Sequence, residues 1–145
     1  MENLDIPPLG GKDKVFFNAA KAISELSDHH FKLGCVVVDH HRIISSGHNS
    51  KTKCHPIQAT LDRRYFNDPK VTQYGPVHAE VAALLPLIKK NIDLSGAVLY
   101  VYRQDRHTHL AASRPCPRCM ALIKQYGIKK IKYTTYDGFA AEKII

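Results

Sequence analysis

The order of helix-like and strand-like segments predicts an α/β fold, a three-layer α/β/α sandwich around a mixed sheet of four or five strands. Three observations carry this. Apolar residues recur at helical spacing in several segments, and short β-branched runs lie between them. The later strand-like runs are separated by helices long enough to act as crossovers, which demands some parallel pairing.

The elements follow in the order α-β-β-α-β-α-β-α. Residues 1–11 hold Pro7, Pro8, Gly10 and Gly11 and read as an arm. From Lys14 to about Phe31, Val15, Phe16, Ala19, Ala22, Ile23 and Leu26 repeat with a helical period. Cys35-Val36-Val37-Val38 is a strand, Asp39-His40-His41 a turn, and Arg42 to Ser46 a returning strand, so the two form a hairpin that Gly47-His48-Asn49 closes. The polar stretch 50–77 is longer than ordinary connections and reads as a functional insert; Ile57 to Phe66 within it can form a helix. A helix from His78 to Lys90 follows, with Pro86 expected to kink or weaken it. Ala97 to Tyr102 is a strand covered on both faces. The polar loop from Arg103 to Arg114 leads to Cys116 and a helix from Pro117 to Tyr126 that Gly127 ends. A fourth strand, Ile128 to Thr134, and a short helix, Asp137 to Lys143, complete the chain.

At 145 residues the chain has the size of one domain, and 44% apolar with 23% charged residues is globular composition. Lys and Arg total 21 against 13 Asp and Glu, a net charge of +8 that favours anionic partners. No apolar run approaches the 18 or so residues that span a bilayer, and the amino terminus has no basic flank followed by an apolar stretch. No membrane association and a cytoplasmic location are therefore expected. Disulfides are rare there, so the four cysteines and nine histidines read first as metal ligands or reactive groups.

Cys116 and Cys119, in Pro115-Cys116-Pro117-Arg118-Cys119, lie at i and i+3 and put two thiols on one side of a first helical turn. The helix dipole there favours thiolate, the form that binds metal. His78-Ala79-Glu80 opens another helix shortly after Pro76. His78 offers a nitrogen, and Glu80 can lean over the same point without ligating. One His and two Cys give three protein ligands, the number that leaves catalytic zinc an open position. A carboxylate beside it has the place of a general base.

In these motifs the chain resembles the zinc-dependent cytidine and deoxycytidylate deaminase superfamily, in its His-x-Glu … Pro-Cys-x-x-Cys form. The resemblance runs from about Lys14 to Thr134. The long insert and the ending Tyr133-Thr134-Thr135-Tyr136-Asp137-Gly138 look most like small phage or bacterial deoxycytidylate-type enzymes. It implies that His78, Cys116 and Cys119 bind one zinc ion. It implies that Glu80 moves a proton from water to the ring and then to the leaving amine, as C4 of cytosine is attacked and ammonia leaves. It gives the Ala79 amide to the base carbonyl and the Arg114 carbonyl to the exocyclic amine, beside Pro115, and gives Asn49 to the sugar or base. The alternative for Asn49 is an ordinary turn residue, since Gly-His-Asn-Ser is also turn chemistry. Arg114 stands where the family often has Ser, Thr or Glu; its side chain either meets a phosphate or lies in solvent. A fifth strand usual in the family is short, missing or supplied by a partner, and an open edge would favour a homo-oligomer.

The remaining features divide between function and surface. Lys51, Lys53, Arg63 and Arg64 line a phosphate pocket or form a solvated basic face. Tyr65, Phe66 and Tyr74 interleave with them, as a single-strand binder would require, or close the insert onto the domain. Cys54 and His55 make a second metal site with His29, His30, His40 or His41, or are ordinary surface groups. Cys35 is a core residue, and Lys124, Lys129, Lys130 and Lys132 are a solvated face. The expected activity is hydrolytic deamination of a free cytosine nucleotide, dCMP or CMP. The alternatives are a base in single-stranded DNA or RNA, free nucleosides, or a non-enzymatic zinc-stabilised module.

Overall fold

A computed structural model of the chain describes residues 4–5, 11–66 and 76–144. Tyr74 and most of the amino-terminal arm lie outside them. The strands are β1 (Leu4–Asp5), β2 (Lys32–Asp39), β3 (Arg42–His48), β4 (Val98–Gln104), β5 (Lys130–Thr134) and β6 (Phe139–Lys143). The helices are α1 (Gly11–Ser24), α2 (Pro56–Phe66), α3 (Ala79–Lys89) and α4 (Pro117–Gln125). The sheet runs β1-β6-β5-β4-β2-β3. β4 and β5, joined through α4, pair parallel, and every other neighbour pairs antiparallel. The α/β class and the mixed sheet are those the sequence predicts, but the sheet has six strands where four or five are expected.

Alternation along the strands sorts the core into two layers. Val36, Val38 and Tyr100 face α1, where Phe16, Phe17 and Ala20 meet them. Cys35, Val37, Leu99, Val101, Ile131 and Tyr133 face the other way, against Val81, Leu84 and Leu87 of α3 and Cys119, Leu122 and Ile123 of α4. Helix α2 packs on α4. Two glycines let helices sit close on the sheet. A Cβ on Gly34 would strike the Ala20 carbonyl and Ser24 amide of α1, and one on Gly47 would strike α3 at Ala79 and Ala83.

Several expectations need correction. The first helix stops at Ser24, because residues 32–34 are drawn into β2 opposite Arg103 and Tyr102 of β4. The last segment is a strand, not a helix: Thr135–Gly138 turns the chain, and Phe139–Lys143 pairs with β5 with Glu142 facing inward. Pairing across the sheet overrides the helical preference of Ala-Ala-Glu-Lys. The chain thus supplies its own fifth strand, and Leu4–Asp5 covers that edge as a sixth. Pro86 falls in the last turn of α3 and the helix continues past it to Lys89. Lys132 is not solvated; it pairs with Asp13 at 2.7 Å in the α1 layer. Among the described residues, no helix is long and apolar enough to cross a membrane.

Candidate metal centre and active site

The starts of α3 and α4 meet at one end of the sheet, where β3 and β4 also end. His78 directly precedes α3 in an extended conformation, φ −81° and ψ 156°. Cys116 holds the same place before α4, with φ −66° and ψ 165°, and Pro117 begins the helix without sacrificing an amide bond. Neither side chain caps its own helix. Instead His78 Nδ1 lies 3.6 Å from Cys116 Sγ and 3.3 Å from Cys119 Sγ.

These three donor atoms all lie within 4.8 Å of one another, and among the described residues they are the one group able to hold a metal. Tetrahedral zinc, with Zn–S about 2.3 Å and Zn–N about 2.05 Å, requires N···S separations of about 3.6 Å. The residues therefore fit zinc in donor type and spacing. Cys54 and His55 join no such cluster; the Cys54 thiol is exposed and meets the Thr52 carbonyl.

The donors share charge. Hydrogen bonding with Cys119 and with the His78 ring holds the Cys116 thiol down to about 3, while the same sulfur pair and burial push Cys119 well up. The hydrogen bond with Cys116 also raises His78. Glu80 lies one residue into α3 and is only 3% exposed. Burial raises its pKa above the ordinary carboxylate value.

A cavity of about 400 Å³ opens beside these groups. His78, Ala79, Glu80 and Cys116 form one wall; Asn49, Arg103 and Arg114 belong to its lining. Pro115 is buried and outside the lining; the insert's Lys51, Lys53 and Arg64 are exposed, Arg63 is partly covered, and none of the four belongs to the lining. Lys53 lines a separate groove with Cys54 and Lys89, and Arg63 reaches back to Thr60 on its own helix. The Asn49 amide is used on both sides: Oδ1 accepts from Ser27 Oγ and the Leu33 amide, and Nδ2 donates to the Phe31 carbonyl. Turn and pocket roles meet in one residue, since those bonds hold the 27–33 segment against the cavity. The Arg114 side chain is 44% exposed, and its guanidinium makes two bonds to Glu142, at 2.8 and 3.0 Å.

Residues 11–135 match the family model described as the cytidine and deoxycytidylate deaminase zinc-binding region. The chain belongs to that family. A deaminase from the luxG 3′ region of Aliivibrio fischeri, itself described as uncharacterised, is 33% identical over 119 residues, covering 81% of this chain and 69% of that protein. The apo dCMP deaminase of cyanophage S-TIM5 is 25% identical with a TM-score of 0.58, covering 86% of this chain and 84% of that one. Cytidine deaminase from Burkholderia pseudomallei shares the fold at 15% identity and a TM-score of 0.61, covering 90% and 91%. The chain is a zinc-binding hydrolytic deaminase.

Sequence reasoning passed over several groups in this deaminase. Arg103 lies over the Phe31 ring at 4.9 Å and donates to the Ala112 carbonyl at 3.1 Å, and its Nε is buried without a partner among the described residues. Gln58, Asp62 and Arg118 form a buried polar chain behind the donors. Arg118 had a signal, its place between the two cysteines. The others depend on contacts distant in sequence.

Proposed function

We propose that this deaminase converts a free cytosine nucleotide, dCMP or CMP, to the uracil nucleotide with release of ammonia. The observation that carries the nucleotide reading is Arg103. Arg114 has its charge matched by Glu142, whereas Arg103 meets only a carbonyl and an aromatic ring among the described residues, and keeps a buried N–H unused. A guanidinium on the cavity lining with no carboxylate partner among the described residues suits a phosphate, to which it donates charge-assisted hydrogen bonds. The likeness to a phage dCMP deaminase supports the same substrate class.

Zinc held by His78, Cys116 and Cys119 would supply Lewis acidity that makes water a nucleophile at neutral pH. Glu80 then handles the protons. Its carboxylate takes one from the attacking water and gives it to the ring nitrogen N3; a second passes by the same carboxylate to the amino group, and the C4–N bond breaks. The sum is cytosine plus water giving uracil plus ammonia. The Ala79 amide, at the positive end of α3, donates to the base carbonyl, and the Arg114 carbonyl accepts from the amine. Asn49 keeps one N–H for the sugar.

Turnover of dCMP, CMP, deoxycytidine and cytidine by the zinc-loaded protein, followed by loss of cytosine absorbance, tests this. Nucleotides should exceed nucleosides in kcat/KM. Arg103→Gln should raise the KM for dCMP about 10–100-fold, the worth of a charge-assisted hydrogen bond, and leave that for deoxycytidine little changed. Equal losses for both would remove the phosphate role. Turnover confined to a single-stranded oligonucleotide would replace the substrate class.

A further inference from the structure

The insert helix α2 touches the metal centre at two points. Gln58 is fully buried, and its Oε1 accepts the backbone N–H of His78 at 3.1 Å. Its Nε2 donates to Asp62 Oδ1 at 3.1 Å, one turn along α2. Arg118 donates from its guanidinium to that same oxygen at 2.8 Å. Asp62 is 8% exposed, and the Arg118 side chain is largely covered. Arg118 lies between the two thiol donors, and Tyr65 of α2 lies against its guanidinium at 5.3 Å. A single buried chain of hydrogen bonds therefore runs from the backbone of one metal ligand to the residue between the other two.

We propose that Gln58 and Asp62 are positioning residues of the metal centre, and that the insert helix and the metal site order one another. The nitrogen donor stands at the start of α3 and the sulfur donors at the start of α4, and the α2 chain ties the two starts together. Gln58 sets where α3 begins, and hence the direction of the His78 ring. Asp62 fixes the position of the Arg118 charge beside the two thiols. Buried polar groups pay off here only while every member is bonded; removing one strands the others without water. Groups behind a metal's ligands commonly change affinity 10–100-fold when removed. This inference concerns metal holding and is independent of which cytosine compound is the substrate.

Two measurements test it. In the wild-type chain, hydrogen exchange of the α2 amides should slow when zinc is added to the metal-free protein; unchanged exchange in α2 would overturn the coupling. Gln58→Met and Asp62→Leu, compared with Thr60→Ala on the same helix, should weaken zinc at least tenfold in competition with a chelator. They should also alter the visible absorption of the cobalt-substituted protein, with Thr60→Ala leaving both unchanged. A melting temperature lowered in Gln58→Met or Asp62→Leu, with zinc affinity and cobalt spectrum unmoved, would reduce the chain to a structural brace. If either variant fails to fold, the exchange experiment decides.

Discussion

The two faces of the sheet are built from similar apolar residues and put to different use. On the α1 face, Phe17 packs at 5.1 Å on Tyr100 and at 4.6 Å on Phe139. The acid Asp13 of α1 is bonded by Tyr100 Oη at 2.6 Å and Lys132 Nζ at 2.7 Å. On the α3–α4 face, Glu80 is buried beside two thiols and an imidazole, with a cavity in front of it. One face resolves its buried charge internally and is quiet. The other also matches one acid internally, Glu142 with Arg114 and Tyr133, but leaves Glu80 to be matched by a metal and a substrate. The difference lies in what surrounds each carboxylate: burial opposes the charge of both, but at Asp13 the hydrogen bonds outweigh it and hold the pKa below the ordinary value, whereas at Glu80 burial prevails.

The contrast can be broken from either side. The largest effect is expected on the site face. Removing metal with a chelator should abolish deamination, by at least about a thousandfold, and one equivalent of zinc should restore it; the near-ultraviolet circular dichroism of the aromatic α1 layer should persist throughout. On the quiet face, Phe17→Ala should cost about 3–5 kcal/mol of stability in denaturant titration, with kcat of the folded, zinc-loaded enzyme little changed. A parallel fall in kcat would mean that the faces are not separable. Smallest is the acid response of Asp13. Its folded pKa is lowered, so its stabilisation is complete above the unfolded value near 3.8 and is lost as pH falls through the lower folded value. Asp13→Asn should cost about 1–2 kcal/mol at neutral pH and flatten the decline of stability below pH 4, measured by thermal melts across that range.

The same division governs what could be read from sequence. His78, Glu80, Cys116 and Cys119 are legible because each motif is local, and one helical turn fixes the relation of its members. The hairpin of β2 and β3 is legible for the same reason. Arg103 over Phe31, and Asp62 on Arg118 56 residues away, exist only once the sheet has assembled. Asp13 and Lys132, at opposite ends of the chain, look like surface charges until α1 docks. β6 is concealed by residues of helical preference whose strand form comes from pairing with β5 on one side and β1 on the other. The insert's basic residues read as phosphate ligands by composition; among the described residues the cavity is lined instead by Arg103, from the end of β4, and by Arg114.

The most direct test of the account is Glu80→Gln, with zinc content, melting temperature and dCMP turnover measured on one preparation. Gln keeps the size of Glu80 but cannot move a proton. The account predicts one zinc per chain, a melting temperature no lower than that of the parent, and kcat reduced about 10²–10⁴-fold. Parental turnover with zinc in place would contradict it.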